Sequence, residues 1–201
     1  MGTGWSVTLD DFCQIGEVVY LKATIPLSPP SRTERVLILD FGSQYTQVIA
    51  RRIREASVFS EIVPHTISAR EVMALQPKGI ILSGGPASVY SPKAPKMDRK
   101  IFHLGIPLLG ICYGMQLLVK EFGGEVARGA RREYGRGTLQ RKRACPLLDQ
   151  LPARLEIWNS HGDRVTRLPR GFQSVATTEN SPYAVVRKGE IYGLQFHPEV
   201  S

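Results

Sequence analysis

Cysteine is scarce: Cys13, Cys112 and Cys145 are the only three in 201 residues, an odd number with no paired spacing. That argues against a disulfide framework and against a cysteine-rich zinc site, leaves no metal-ligating set to name, and suits a reducing, cytoplasmic compartment. No apolar run approaches the roughly 18–20 residues that a membrane span needs, so no membrane partner is expected. The first thirty residues do not read as a signal peptide, because Gly2-Thr3-Gly4-Trp5 stands where a basic stretch would and Asp10 and Asp11 interrupt early. Internal repeats and low-complexity tracts are absent too. What remains is a globular composition, 42% hydrophobic and 22% charged, in a length that suits one ordinary domain with an appendage. The net charge of +8 matters less than where that charge lies.

Residues 1–34 stand apart. They alternate briefly at Val18–Leu21, then run through Pro26, Ser28, Pro29, Pro30 and Ser31. This reads as an N-terminal extension ending in a linker, of unassigned purpose. From Arg35 the texture changes. Val36–Asp40 is a short apolar run followed by a turn, and Tyr45, Val48, Ile49, Ile53 and Ala56 then recur at helical spacing. The cycle repeats with Phe59–Val63 and a helix near Ala69–Leu75, with Gly79–Leu82 running into Ser83-Gly84-Gly85-Pro86, and with Pro107–Ile111 before a helix from about Gly114 to Phe122. Continuously apolar strands alternating with helices indicate a parallel sheet covered on both faces. After Gly124, turn-rich alternating segments at Thr138–Arg141, Leu155–Trp158, Ser174–Thr178, Tyr183–Val186 and Ile191–Phe196 suggest added antiparallel strands. The expected fold is α/β: a three-layer, open, mostly parallel twisted sheet with helices on both faces.

Ligands of such sheets bind beyond the carboxyl ends of the strands, where Gly84-Gly85 and Cys112 both lie. Gly110-Ile111-Cys112-Tyr113-Gly114 has the spacing of a nucleophile elbow with cysteine in place of serine. A thiol there meets a helix N-terminus, which favours thiolate. A buried, inert small residue is the competing reading, and the pentapeptide alone leaves both open. Of the four histidines, His65 and His103 sit in ordinary segments, and the remaining two are His161 and His197. In Phe196-His197-Pro198-Glu199, read as extended, residues i and i+2 share a side, so Glu199 could fix the His197 tautomer. A lone histidine is more often structural, but a carboxylate partner and an elbow cysteine turn the balance toward a base. The N–H of Tyr113 and the Gly84–Gly85 turn could supply an oxyanion hole, although the latter also reads as a plain tight turn.

The GGP after a strand, GICYGMQ at 110–116 and FHPE at 196–199, in that order, resemble the class I (triad) glutamine amidotransferase family. DFGSQYTQVIARRIRE at 40–55 and WNSHGDRV at 158–165 are similar to the glutaminase half of GMP synthases, and the resemblance covers about residues 35–201. It implies a flavodoxin-like amidotransferase fold and glutamine as substrate. It further implies Cys112 as nucleophile, His197 as base and Glu199 as its orienter. Gly84, Gly85 and Tyr113 would bind the oxyanion, and Gln116, Ser160, His161, Gly162 and Asp163 would hold the substrate. No cofactor is implied for this domain. ATP and Mg²⁺ belong with a separate ATP pyrophosphatase, or synthetase, domain or subunit, whose phosphate loop Ser83-Gly84-Gly85-Pro86 does not match. The glutaminase of anthranilate or aminodeoxychorismate synthesis is an alternative, though its Leu-Gly-His is replaced here by Tyr113-Gly114-Met115. A non-catalytic or redox-sensing relative with an elbow cysteine is another. The basic stretch Arg128–Arg143 reads first as a solvated face, second as a docking surface for the synthetase. With only Tyr134 interleaved, nucleic acid is the least supported partner.

Overall fold

The structure, a computed structural model, describes residues 12–15, 18–21 and 34–200, without the side chains of 12–15, 18–21, 130 and 131. The chain divides into two compact units, Met1–Arg32 and Thr33–Ser201. In the first, β1 (Phe12–Ile15) and β2 (Val18–Leu21) pair antiparallel with Cys13 opposite Tyr20. The linker expected at Pro26–Ser31 and the side chain of Cys13 lie outside the described residues.

The second unit begins with β3 (Arg35–Asp40), α1 (Thr46–Glu55), β4 (Phe59–Pro64), α2 (Ala69–Leu75) and β5 (Gly79–Leu82). After a 3-10 helix at Arg99–His103 come β6 (Leu108–Ile111) and α3 (Tyr113–Glu121). The remainder is β7 (Glu125–Arg141), β8 (Arg154–Arg167), β9 (Gln173–Thr177), β10 (Val185–Lys188), β11 (Ile191–Leu194) and a 3-10 turn at Pro198–Val200. They build one sheet of nine strands in the order β4-β3-β5-β6-β11-β10-β9-β7-β8. The first five run parallel, and the pairings from β11 onward are antiparallel.

The non-alternating run Val36-Leu37-Ile38-Leu39 follows from burial on both faces. Leu37 and Leu39 pack with Val72 of α2 and Leu118 and Val119 of α3, whereas Ile38 packs with Ile49 and Ala50 of α1 on the other side. Helix α1 is amphipathic, with Arg51 paired to Glu55 across one turn at 2.9 Å on its wet face. Helix α2 starts with a capping box between Ser68 and Glu71.

Two expectations are corrected. Ile191–Phe196 was expected as an added antiparallel strand, but β11 ends at Leu194 and lies parallel to β6 while pairing antiparallel with β10. Its side chains show why: Ile191 packs toward one core cluster and Leu194 toward the other, the signature of a strand buried on both faces. The short strands expected near residues 138 and 155 are the ends of two long ones, 17 and 14 residues. The arginines and glycines of 125–137 carry no alternation, so cross-strand pairing with β8 rather than apolar pattern makes that segment a strand.

Helix α3 approaches the sheet backbone so closely that a Cβ on Gly114 would lie 2.4 Å from Leu82 O and 2.6 Å from Leu82 Cβ. A Cβ on Gly79 would meet nothing nearer than 3.8 Å. Gly114→Ala is therefore expected to cost about 1–3 kcal/mol or more, and Gly79→Ala to be neutral or slightly stabilising. Denaturant unfolding of both variants checks this; equal stabilities would show that the contact yields.

Candidate active site

Cys112 links the end of β6 to the start of α3 with φ 51° and ψ −104°, a positive φ that β-carbon-bearing residues rarely adopt. Such backbone costs on the order of 1–3 kcal/mol and persists only where its surroundings hold it. They do: the Cys112 N–H donates to Leu194 O at 2.7 Å, and its carbonyl accepts the Gln116 N–H at 3.1 Å. Gly110 completes the turn, since a Cβ there would sit 2.6 Å from Gly114 C and Met115 N. The residue is buried rather than standing out, only 6% exposed and packed beside Ile38, Ile49 and Ile111, yet it forms part of a cavity wall. Its thiol donates to Ser160 O at 3.8 Å.

His197 does not lie in an extended segment. It follows the end of β11 by three residues, and Pro198–Val200 is a 3-10 turn closed by the Val200 N–H on His197 O at 3.3 Å. Proline, with φ preset and no N–H, suits the first position of such a turn. The turn still brings Glu199 Oε1 to 2.7 Å from His197 Nδ1, both residues being buried. That leaves Nε2 for the thiol of Cys112, to which the ring is hydrogen-bonded. Burial disfavours a charged ring here, but the hydrogen bonds with Cys112 and Glu199 outweigh it and push His197 up to about 9. The backbone is held as well: His197 N–H donates to Trp158 O at 2.9 Å, and Arg52 Nε of α1 reaches Glu199 O at 3.3 Å. The ring of Tyr45 meets that of His197 edge-on, 5.1 Å between centroids.

Opposite Cys112, the loop after β5 brings Gly85 against Tyr113, where a Cβ would lie 3.4 Å from Tyr113 Cγ and 2.7 Å from Phe41 O. Among the described residues no backbone carbonyl takes the N–H of Gly85 or Tyr113. Gly84 is different. It is buried behind the wall, where a Cβ would stand 3.0 Å from His197 Cε1, so it makes room for the imidazole rather than facing the cavity. The Tyr113 side chain turns into the core and donates to Pro95 O at 2.5 Å, and burial pushes its hydroxyl up to about 12.

The cavity has a volume of about 630 Å³, and its walls include Gly85, Cys112, Tyr113, Gln116, Ser160, His161, Gly162, Asp163 and His197. All the sequence-predicted site residues except Gly84 and Glu199 therefore meet there, and those two stand directly behind His197. Gln116 Nε2 donates to Asp163 O at 3.1 Å, tying α3 to β8. Tyr90 OH donates to Asp163 Oδ1 at 2.8 Å across the mouth. The sequence reading missed Ser43 and Tyr45 in the β3–α1 loop, Tyr90, and the pair Arg128 and Arg132, all on the walls. A signal existed for the first two, in the DFGSQYT stretch, but none for a basic strand that curls over a cavity. The remaining basic residues are dispersed: Arg136 faces Glu156 at 3.8 Å, and Arg141 Nη1 donates to Leu148 O at 2.8 Å. Cys145, by contrast, is fully buried in the core cluster around Val175 and Val185, away from the cavity. His65 stacks on Phe41 and His103 lies against Phe122, both in structural roles.

This arrangement is one that known proteins share. Residues 37–201 match the glutamine amidotransferase class-I family. A glutamine-hydrolysing GMP synthase from Nitratiruptor sp. is 54% identical over 172 residues, 83% of this chain and 33% of that protein. One from Thermomicrobium roseum is 51% identical over 176 residues, 88% of this chain and again 33% of the relative. The chain thus spans about a third of the length of these curated relatives. Among solved structures, a Thermoplasma acidophilum protein provisionally assigned to GMP synthase superposes with TM-score 0.74 at 27% identity, covering 84% of this chain and 86% of that one. A glutamine amidotransferase from Thermotoga maritima superposes with TM-score 0.69 at 25% identity, covering 83% and 76%. The chain belongs to the class-I glutamine amidotransferase family.

Proposed function

We propose that residues 35–201 hydrolyse glutamine to glutamate and ammonia, and that they do so as the glutaminase part of a GMP synthase. The observation that carries the reading is the line from Cys112 on its strained turn through His197 to Glu199, with Gly85 and Tyr113, whose N–H groups no backbone carbonyl takes among the described residues, on the same cavity wall. Cys112 Sγ, its proton held on His197 Nε2, attacks the side-chain amide carbon of glutamine. The carbonyl oxygen becomes an oxyanion held by the two N–H groups. His197 then protonates the departing nitrogen, the C–N bond breaks, and ammonia leaves a glutamyl thioester. Water, deprotonated by His197, attacks the thioester carbon, and glutamate is released with the thiol restored. Glu199 holds the ring with Nε2 toward sulfur throughout. Side chains and backbone suffice, with no cofactor in this half-reaction.

The GMP half rests on the 51–54% identity to proteins of that name. In it the ammonia is used to aminate xanthosine monophosphate to GMP, activated by ATP and Mg²⁺ in a synthetase domain or subunit. That reading is tested by a steady-state ammonia assay with and without such a partner plus ATP and xanthosine monophosphate. A rise of at least about tenfold, roughly 1.4 kcal/mol of transition-state stabilisation, is expected on adding all three. A rate indifferent to them would rule it out.

Cys112→Ser should lower ammonia release at least about a thousandfold, about 4 kcal/mol. Its melting temperature should stay within about 4 °C, the shift that roughly 1 kcal/mol produces in a chain of this size. Cys145→Ala should leave the rate within about threefold. Retained activity in the first variant, or a comparable loss in the second, would remove Cys112 from the mechanism.

A histidine that keeps its proton to about pH 9 is charged, and ready to act as the acid, at neutral pH. The turnover rate should therefore fall on an alkaline limb near pH 9, and Glu199→Gln, which removes one of the groups raising His197, should move that limb downward. Stability follows the same sign. The folded value lies above the ordinary 6.5, so this contribution is full below about pH 6.5 and is lost as pH rises through about 9. An alkaline limb unmoved by Glu199→Gln would show that another group titrates.

A further inference from the structure

Glu133 is the single acid of the basic stretch 128–143, and it is buried. Its location in β7 is unusual. Arg128 pairs opposite Asp163 and Glu133 opposite His161, so the residues 129–132 of one strand face Gly162 alone on the other. Strand β7 therefore bulges over the cavity wall, and the Arg132 side chain lies 3.8 Å from where a Cβ on Gly162 would be. Regular pairing resumes at Glu133.

A buried carboxylate is costly unless charge and hydrogen bonds compensate it. Glu133 has both. Its Oε2 lies 3.1 Å from His161 Nε2, and its Oε1 accepts from Thr178 Oγ1 at 3.0 Å. Thr178 Oγ1 in turn accepts the Ser181 N–H at 3.0 Å, which anchors the turn after β9 to the same point. Burial works against the ionised carboxylate, but the bonds from His161 and Thr178 prevail and hold it below its usual range. The other ring nitrogen of His161, Nδ1, is 3.1 Å from Asp163 O, the same oxygen that accepts from Gln116 Nε2. One residue before His161, the Ser160 carbonyl takes the Cys112 thiol. Glu133 itself is not on the cavity wall, whereas His161 and its neighbours are.

We propose that Glu133 is a positioning residue for glutamine: it clamps His161 and ends the β7 bulge, so that Ser160–Asp163 present the shape the substrate's amino-acid end requires. This rests on the glutaminase reading above. His161 faces the binding cavity, while the thiol and His197 are placed by the Cys112 turn with its N–H on Leu194 O and by the 198–200 turn, with only Ser160 O and Trp158 O reaching them from β8, so the effect falls mainly on binding rather than on the chemical step.

The test is Glu133→Gln in the full chain, which keeps the volume and removes the charge. KM for glutamine should rise about tenfold with kcat changed less than about threefold. Alkylation of Cys112 by iodoacetamide, which needs no amino-acid subsite, should proceed within about twofold of wild type. Labelling by a diazoketone analogue of glutamine should slow about tenfold, the rate equivalent of about 1.4 kcal/mol. Thr178→Val, which leaves the carboxylate and its His161 contact in place but removes the hydroxyl that bonds it and the Ser181 N–H, should move KM in the same direction by about two- to threefold and serves if Glu133→Gln fails to fold. An unchanged KM, or iodoacetamide and diazoketone labelling that fall together, overturns the proposal. A wild-type chain that neither hydrolyses glutamine nor reacts with the diazoketone overturns the glutaminase reading itself. Normal wild-type behaviour with an indistinguishable variant sinks only the role of Glu133.

Discussion

Everything in the site depends on how closely the first turn of α3 lies against β5 and β6. Only hydrogen fits at positions 110 and 114, and with both present the chain reverses over a single residue. That residue, Cys112, takes the conformational strain and is fixed by bonds at both its N–H and its carbonyl. The same proximity brings Gly85 of the neighbouring loop against Tyr113, so both residues share the cavity wall with Cys112. A loose approach would leave a cysteine in a turn and nothing for it to do.

Two buried histidine–carboxylate pairs flank that thiol, and they do different things. His197 with Glu199 is built within one short turn, and its second nitrogen is directed at sulfur. His161 with Glu133 is built across two strands, and its second nitrogen faces a backbone carbonyl. The first can move a proton. The second holds a wall. In a low-dielectric interior each pairing gives a buried carboxylate a partner, and each fixes a ring orientation that a solvated histidine would lack.

Much of the fold was legible because the apolar runs of the first half have one explanation. A strand such as Val36–Leu39 that is apolar at every position must be covered on both faces, and the amphipathic helices between the strands supply the cover. The direction of β11 was not legible, since four residues buried on both sides fit either orientation. Nor was the length of β7, whose glycines and arginines are held by pairing to β8 and by no pattern of their own.

The sequence by itself determined the chemistry available: a cysteine between glycines at a strand-to-helix junction, and a histidine two residues from a glutamate near the last strand. Those are local features, and local spacing is enough to identify an elbow or a side-chain pair. It also carried the wrong geometry for the second, an extended segment where the chain makes a 3-10 turn. Only the tertiary structure decided that Gly84 stands behind His197 while Gly85 faces the cavity, and that the lone acid of a basic stretch lies buried against His161. Both depend on which residues meet across the sheet, and the 28 positions from Glu133 to His161 carry no local trace of that contact.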